Sequence, residues 1–409
     1  MIFARNEAKF IFNPFCWFLI LVISCSAEEE EIDDYVVSEQ FSEGDMSILE
    51  DVLNLKEKPF NYANLELPPH YQSDDAYESD NTPEENRVTN MGATLGRVLF
   101  YDLNLSANNT ISCASCHKQS EGFSDNRKFS VGLNGETTKR NSMTLINSRY
   151  YENGRFMWDE SAATLEEQVL LPIQHHQEMG MHLSVLEGKL QQLDYYNVMF
   201  EKAFGSPQVT TDRISMALAQ FVRSIISHNS KFDKGLELIG PVEDEEEMPN
   251  LPNFSDLENL GIDIFYRGRK GGTCLYCHGS AQSINDEAKN NGLSLNYKDK
   301  GKGAFTGRDS DNALFKVPSL RNVALTAPYM HDGRFKTLMD VVNHYSDSVQ
   351  SHANLNFRLT TLDDGESGEE EVLRLRLTQR EKEALVAYLE TLTDEKITKD
   401  EKYSNPFKQ

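Results

Sequence analysis

Apolar residues recur at helical spacing in several parts of the chain, while strict alternation of apolar and polar residues is scarce. In segments 91–100, 214–225 and 257–265 the apolar positions repeat every three or four residues. This is the period of an amphipathic helix, whereas a half-buried strand has a period of two. The pattern predicts a mainly α-helical protein with little sheet.

Two capping boxes mark helix starts. In one of them Thr378 is followed three residues later by Glu381, which predicts a C-terminal helix that begins there. In the other, Thr164 and Glu167 predict a helix that ends at Pro172, because proline cannot continue a helix interior.

The N-terminal segment resembles an export signal. An apolar run at 15–23 follows Arg5 and Lys9, and it is too short to span a membrane. Residues 22–25 resemble a bacterial lipobox, which implies cleavage before Cys25 and lipidation of its thiol; ordinary cleavage after Ala27 is the alternative. We expect a lipoprotein-type signal peptide at 1–24 and a protein held at the periplasmic face or cell envelope by this lipid anchor alone.

Charge is concentrated near the N-terminus. The formal net charge is −25, which argues against a nucleic-acid partner because such a protein needs a basic surface. Residues 26–86 hold 19 acidic and two basic residues. A run of like charges repels itself and stays solvated, so we expect an acidic flexible tether at 25–86.

A second acidic run, at 243–247, precedes Pro249 and Pro252 and predicts an interdomain linker. The expected organisation is an N-terminal domain at 87–242, a C-terminal domain at 243–395 and a tail at 396–409.

Two Cys-x-x-Cys-His motifs carry the chemistry. They are Cys113, Cys116 and His117, and Cys274, Cys277 and His278. This is the signature of covalent c-type haem attachment, in which both thiols bind the haem vinyl groups and the histidine binds the iron. A Cys₄ zinc site would not require both histidines, and a thioredoxin-like dithiol would need a βαβ pattern, which we do not find. We therefore expect two cytochrome c-like helical domains, each with one covalent haem.

Further motifs resemble the bacterial di-haem cytochrome c peroxidases and their MauG-type relatives. In the family's order they lie at 95–102, 111–117, 156–159, 178–179 and 317–333. The resemblance implies that peroxide reacts at the haem of His117, while the haem of His278 handles electrons. It places Glu178 and Gln168 on the distal side of the reactive haem and Trp158 between the haems.

The resemblance also implies a Ca²⁺ ion held by the Asn141 side chain and the backbone carbonyls of Thr326 and Pro328. Oxygen ligands suit this hard cation. Hydrogen peroxide is the implied substrate. A small cytochrome c or cupredoxin is the implied electron donor, and a homodimer is left open.

Two positions depart from the peroxidase pattern. Many of the peroxidases have a capping histidine 16 residues after the first motif histidine, where this chain has Leu133. They also have an axial methionine at the position of Tyr345, where MauG-type proteins have tyrosine. A phenolate oxygen stabilises Fe(III), whereas a methionine sulfur raises the potential. The alternatives are a packed Tyr345 with His344, Met330 or Met339 on the iron.

Three functions follow from these observations. The first is reduction of peroxide with electrons from a small redox protein. The second is MauG-like oxidation of a protein or organic substrate through a high-valent di-haem state, which Leu133 and Tyr345 favour. The third is a pure electron carrier, which would need both irons to be six-coordinate.

Overall fold

The computed structural model describes residues 39–242, 244–279, 287–361 and 371–408. The expected signal peptide, Cys25 and residues 25–38 of the expected tether lie outside this part of the chain. The described α-helices are α1 Glu43–Leu49, α2 Asp74–Glu78, α3 Asn90–Tyr101, α4 Cys113–Cys116, α5 Leu165–Gln168, α6 Leu171–Gln174, α7 Leu183–Gln191, α8 Asp194–Phe204, α9 Thr211–Arg223, α10 Lys231–Ile239, α11 Asp256–Arg267, α12 Leu275–His278, α13 Lys302–Thr306, α14 Leu338–Asn343 and α15 Gln379–Thr391.

The prediction of a mainly helical protein is confirmed. Within the described ranges, extended segments pair only through isolated bridges, such as that between Phe156 and Ala162. Short 3-10 turns and one π-turn at His344–Ser348 connect several helices. Over the same ranges, no helix combines the length and the apolar character that crossing a membrane requires.

In each of two pairs of long helices, a glycine of one helix packs against a backbone carbonyl of the other. Helix α3 packs against α9, and α11 packs against α15. A Cβ atom on Gly96 would lie 1.9 Å from the carbonyl oxygen of Ala217, and one on Gly261 would lie 2.1 Å from that of Ala384. Only glycine permits such close approach of two backbones. Each pair forms the centre of its own hydrophobic core.

Of the two predicted capping boxes, the one at α15 forms in full and the one at α5 forms in part. At α15 both hydrogen bonds of the box between Thr378 and Glu381 are present. At α5 the Thr164 hydroxyl accepts from the Glu167 N–H, but the helix ends at Gln168 instead of Pro172. Pro172 instead occupies the first turn of α6, where a missing N–H costs nothing.

The expectation of a flexible tether is wrong from residue 39 onward. Helices α1 and α2 lie in this stretch, and Phe41, Leu49, Leu53 and Tyr62 are buried in the first core. Charge composition misled the prediction because the apolar residues interspersed among the acidic ones are enough to cover part of a core.

The C-terminal segment returns to the same core. Ile397 and Tyr403 are buried there, and Leu53 pairs with Phe407 in an isolated antiparallel bridge. The Tyr403 hydroxyl donates to the carbonyl oxygen of Ser224 at 2.7 Å. The expected tail at 396–409 is therefore, over its described residues, packed against the N-terminal half. Between the halves, residues Glu245–Glu247 of the expected linker form a 3-10 turn.

Candidate haem centres

The first Cys-x-x-Cys-His motif forms a single turn of helix. Cys113 and Cys116 are the first and last residues of α4, and His117 is its C-cap. The Nδ1–H group of His117 donates to the carbonyl oxygen of Phe123 at 3.0 Å, which leaves Nε2 as the free ligand atom. Burial lowers the pKa of His117, so the ring is held neutral, as a metal ligand must be.

The second motif has a similar local form. Helix α12 begins after Cys274 and ends at His278. Burial lowers the pKa of His278 to about 4, while the Pro318 backbone carbonyl opposes that shift. This imidazole is also neutral at pH 7.

The four motif thiols are free in the structure. Burial raises the pKa of Cys113 and of Cys274 to about 12, whereas a reactive dithiol has a lowered pKa. Cys116 lines one cavity and Cys274 and Cys277 line another, and among the described side chains no three Cys, His, Asp or Glu residues gather as metal ligands. The geometry therefore fits two separate haems and neither a shared zinc site nor a redox dithiol.

A cavity of about 800 Å³ adjoins the first motif. Six residues singled out in the sequence line its walls: Cys116, His117, Asn141, Trp158, Gln168 and Glu178. They come from segments far apart in the chain, so only the tertiary fold makes them neighbours.

Glu178 is held at the wall of this first cavity by its backbone. Its N–H donates to the carbonyl oxygen of His175, and its own carbonyl oxygen accepts from the Leu133 N–H at 2.9 Å. Burial raises the pKa of the Glu178 carboxyl, which favours holding a proton. Gln168, at the end of α5, directs its Nε2 toward the Met157 sulfur at 3.7 Å.

His175 also lines the first cavity, and the sequence reasoning missed it. Its Nδ1 lies 3.4 Å from Oε1 of Glu178, and the side chains are 43% and 28% exposed, respectively. Burial, His176 and Lys139 lower the pKa of His175. The signal available in the sequence was a histidine three residues before the candidate acid.

Trp158 lines both this cavity and a second one that adjoins the other motif. Its Nε1–H donates to the carbonyl oxygen of Asn141 at 2.8 Å, which fixes the ring. Its own carbonyl oxygen accepts from the Lys316 N–H at 2.8 Å.

The second cavity, of about 200 Å³, adjoins Cys274, Cys277 and His278. Two of the candidate axial ligands, Tyr345 and Met330, line this cavity. The Asn291 amide donates to the Tyr345 hydroxyl at 3.3 Å and contacts the Met330 sulfur at 3.5 Å.

The other two candidate ligands are placed less favourably. His344 is buried, and its Nε2 lies 2.9 Å from the carbonyl oxygen of Asn291. Neither His344 nor Met339 lines the second cavity. The geometry thus favours Tyr345 or Met330 as the sixth ligand.

Asn141, the side-chain ligand of the expected calcium site, is held by hydrogen bonds to two segments of the chain. The Asn141 Nδ2 donates to the carbonyl oxygens of Arg127 and Lys128, both at 3.2 Å, which leaves Oδ1 as the free ligand atom. The Asn141 N–H donates to the carbonyl oxygen of His331 at 2.8 Å, and His331 follows Pro328 by three residues. This donor chemistry fits Ca²⁺.

Comparison with known proteins identifies the family of the chain. Residues 90–238 match the family model described as di-haem cytochrome c peroxidase. The chain is 32% identical to the methylamine utilization protein MauG of Methylophilus methylotrophus, over 76% of this chain and 84% of that one. It is 37% identical to the cytochrome c551 peroxidase of Nitrosomonas europaea, over 61% of this chain and 71% of that one.

A solved structure supports the same conclusion. A MauG-like protein associated with microbial copper homeostasis superposes with a TM-score of 0.67 and 28% identity, over 80% of this chain and 96% of that one. The chain therefore belongs to the di-haem cytochrome c peroxidase and MauG family of enzymes, and this membership implies two covalently bound haem c groups.

Proposed function

We propose that this enzyme reduces hydrogen peroxide to water in the first cavity, with electrons that enter through the second haem from a small cytochrome c or cupredoxin. Reduction of one peroxide consumes two electrons and two protons and yields two waters. The observation that carries the proposal is the joint presence of Glu178 and Gln168 in the wall of the cavity that adjoins His117.

The protein's own part in this reaction is proton movement and orientation. Haem iron, when bound, supplies the coordination position for peroxide and the route for electrons. Glu178, whose pKa is raised by burial, takes the proton from the oxygen nearer to His117 and delivers it to the far oxygen. The Gln168 amide donates a hydrogen bond to the leaving oxygen, and Trp158 links the two cavities for electron transfer.

A MauG-like reaction is the second candidate, in which peroxide drives oxidation of a protein or organic substrate. Two observations favour it. Leu133 lies beside Glu178 and carries no atom that could cap an iron, so the first site is open without prior reduction. Tyr345 lines the second cavity, and a phenolate ligand would hold that haem at low potential, unsuited to an ordinary high-potential donor.

Three accessory features belong to the same proposal. We propose one Ca²⁺ ion held by Asn141 Oδ1 and the carbonyl oxygens of Thr326 and Pro328. We place the enzyme at the periplasmic face or cell envelope, anchored through a lipid at Cys25. A homodimer is compatible with this arrangement.

Two measurements run side by side test the proposal. The first is steady-state peroxide consumption with a reduced cytochrome c, and the second is a stopped-flow spectrum with peroxide and no donor. Sustained oxidation of the cytochrome supports the peroxidase. A rapid spectral change without cytochrome turnover, followed by oxidation of an added organic reductant, supports the MauG-like reaction. Absence of both responses contradicts the two proposals.

A further inference from the structure

Lys316 places a buried amine at the wall between the two cavities. Its side chain is 5% exposed, and it lines both cavities beside Trp158. Its Nζ has no hydrogen-bond partner among the described residues and lies over the ring face of Tyr151. The reactions proposed above make no use of this amine.

The described residues alone do not stabilise the charged form of this amine. Burial lowers the pKa of Lys316 well below its usual range, because removing an ammonium group from water costs more free energy than a contact with an aromatic ring returns. Glu160 attracts Lys316 electrostatically, but its oxygens are already occupied. Oε1 accepts from Tyr151 and Asn153, and Oε2 accepts from the Lys302 ammonium at 2.7 Å.

An anion entering one of the cavities would complete the site. Covalent attachment consumes the vinyl groups of a haem c, and its two propionates remain as carboxylates. We propose that Lys316 binds a haem propionate at the wall between the cavities and, as a fixed positive charge there, raises the reduction potential of the haem that it contacts. The proposal rests on the two haems that family membership implies and does not depend on the direction of electron flow.

Geometry supports this assignment in a second way. The Lys316 N–H is bonded to the Trp158 carbonyl oxygen, so the amine belongs to the same wall as the residue between the haems. A positive charge at this position stabilises Fe(II) over Fe(III) because the reduced haem carries one positive charge fewer. The carboxylate could come from either haem, and the potentials distinguish the two sources.

The experiment is a spectroelectrochemical titration of both haems in the wild type, Lys316→Met and Lys316→Arg, without peroxide. We expect Lys316→Met to shift the one-electron reduction equilibrium of at least one haem at least tenfold toward Fe(III), which is about 59 mV. The haem whose reduction potential shifts is the one that supplies the propionate. Lys316→Arg keeps the charge and should remain within threefold of the wild type.

Lys302→Met is the matched control, because it removes the same charge from the same cluster but from a side chain that lines neither cavity. Unchanged potentials in Lys316→Met, or an equal shift in Lys302→Met, would overturn the proposal. If Lys316→Met binds fewer than two haems, the Lys316→Arg variant provides the test. Two bound haems with wild-type potentials in Lys316→Arg support the proposal, and fewer than two bound haems in that variant contradict it. Because peroxide is absent, failure of peroxidase activity does not affect this test.

Discussion

The two cavities differ in what surrounds the motif histidine. Around His117 the cavity is large, about 800 Å³, and its wall includes the titratable side chains Glu178 and His175. Around His278 the cavity is about 200 Å³, and most of its lining side chains are apolar, while its polar ones include Tyr345 and the basic residues Lys289, Lys316 and Arg358. The first cavity thus has the larger volume and a carboxyl group in its wall, as the proposed peroxide reaction requires, whereas the titratable groups of the second are mainly basic.

This difference does not arise in the helix pairs. Both halves use a glycine against a backbone carbonyl, Gly96 in one and Gly261 in the other, to bring two helices together. Both present the motif histidine from a short turn of helix. The two cavities therefore differ in the segments that follow these helices, which place Glu178 at the first cavity and Tyr345 at the second.

The largest expected effect is on the second haem. If Tyr345 binds the iron of this haem, Tyr345→Met replaces a hard oxygen ligand by a thioether, and the reduction potential of the haem should rise by a few hundred millivolts, since axial ligands set haem potentials over about 0.8 V. Each 59 mV changes a one-electron equilibrium constant about tenfold, so a rise of this size changes the reduction equilibrium of the haem more than a thousandfold. The measurement is a spectroelectrochemical titration. His344→Gln is the control and should leave the potential unchanged; a rise there, with none in Tyr345→Met, would assign the iron to His344.

The next effect is on the first cavity. Glu178→Gln keeps the shape and removes the proton carrier, so the rate of reaction with peroxide should fall by about 10²–10⁴-fold with both haems retained. Stopped-flow kinetics measures the rate, and pyridine haemochrome content checks the haems. Glu136→Gln, at an exposed site nearby, should react like the wild type. A loss below about tenfold in Glu178→Gln would show that another group shuttles the proton.

A stability prediction compares the two cores. Tyr403→Ala in the first core and Tyr388→Ala in the second each remove a fully buried ring, so each should lower the free energy of unfolding by about 3–5 kcal/mol. Tyr403→Phe loses only the hydrogen bond to Ser224 and should cost about 1 kcal/mol. Guanidinium titration at equal haem content measures these values. A loss below about 0.5 kcal/mol in Tyr403→Ala would mean that the C-terminal segment is not part of the core.

The smallest effect concerns His175. The ferric wild type should show one high-spin haem by electron paramagnetic resonance, because Leu133 leaves the first site open. His175→Asn should keep that signal and slow the peroxide reaction by less than about tenfold, since Glu178 remains as the acid. Two low-spin signals in the wild type, with a high-spin one appearing only in His175→Asn, would make His175 a distal ligand.

Some features of this protein follow from the sequence alone because they depend on short-range spacing. A Cys-x-x-Cys-His segment folds into one turn that presents both thiols and the imidazole, whatever surrounds it, so both haem sites were evident from the chain. The long helices could also be predicted from the sequence, because amphipathic periodicity and caps such as that between Thr378 and Glu381 depend only on residues close together in the chain.

The tertiary structure decided what depends on contacts between distant segments. Composition indicated a solvated tether, yet Leu49 and Tyr62 are buried with Tyr403 in one core, because burial depends on which faces meet and not on net charge. Lys316 likewise carries no sequence signal of a site, and the signal for His175 is only its position three residues before Glu178. Their importance comes from the cavities that they line, and these cavities exist only when segments far apart in the chain fold against each other.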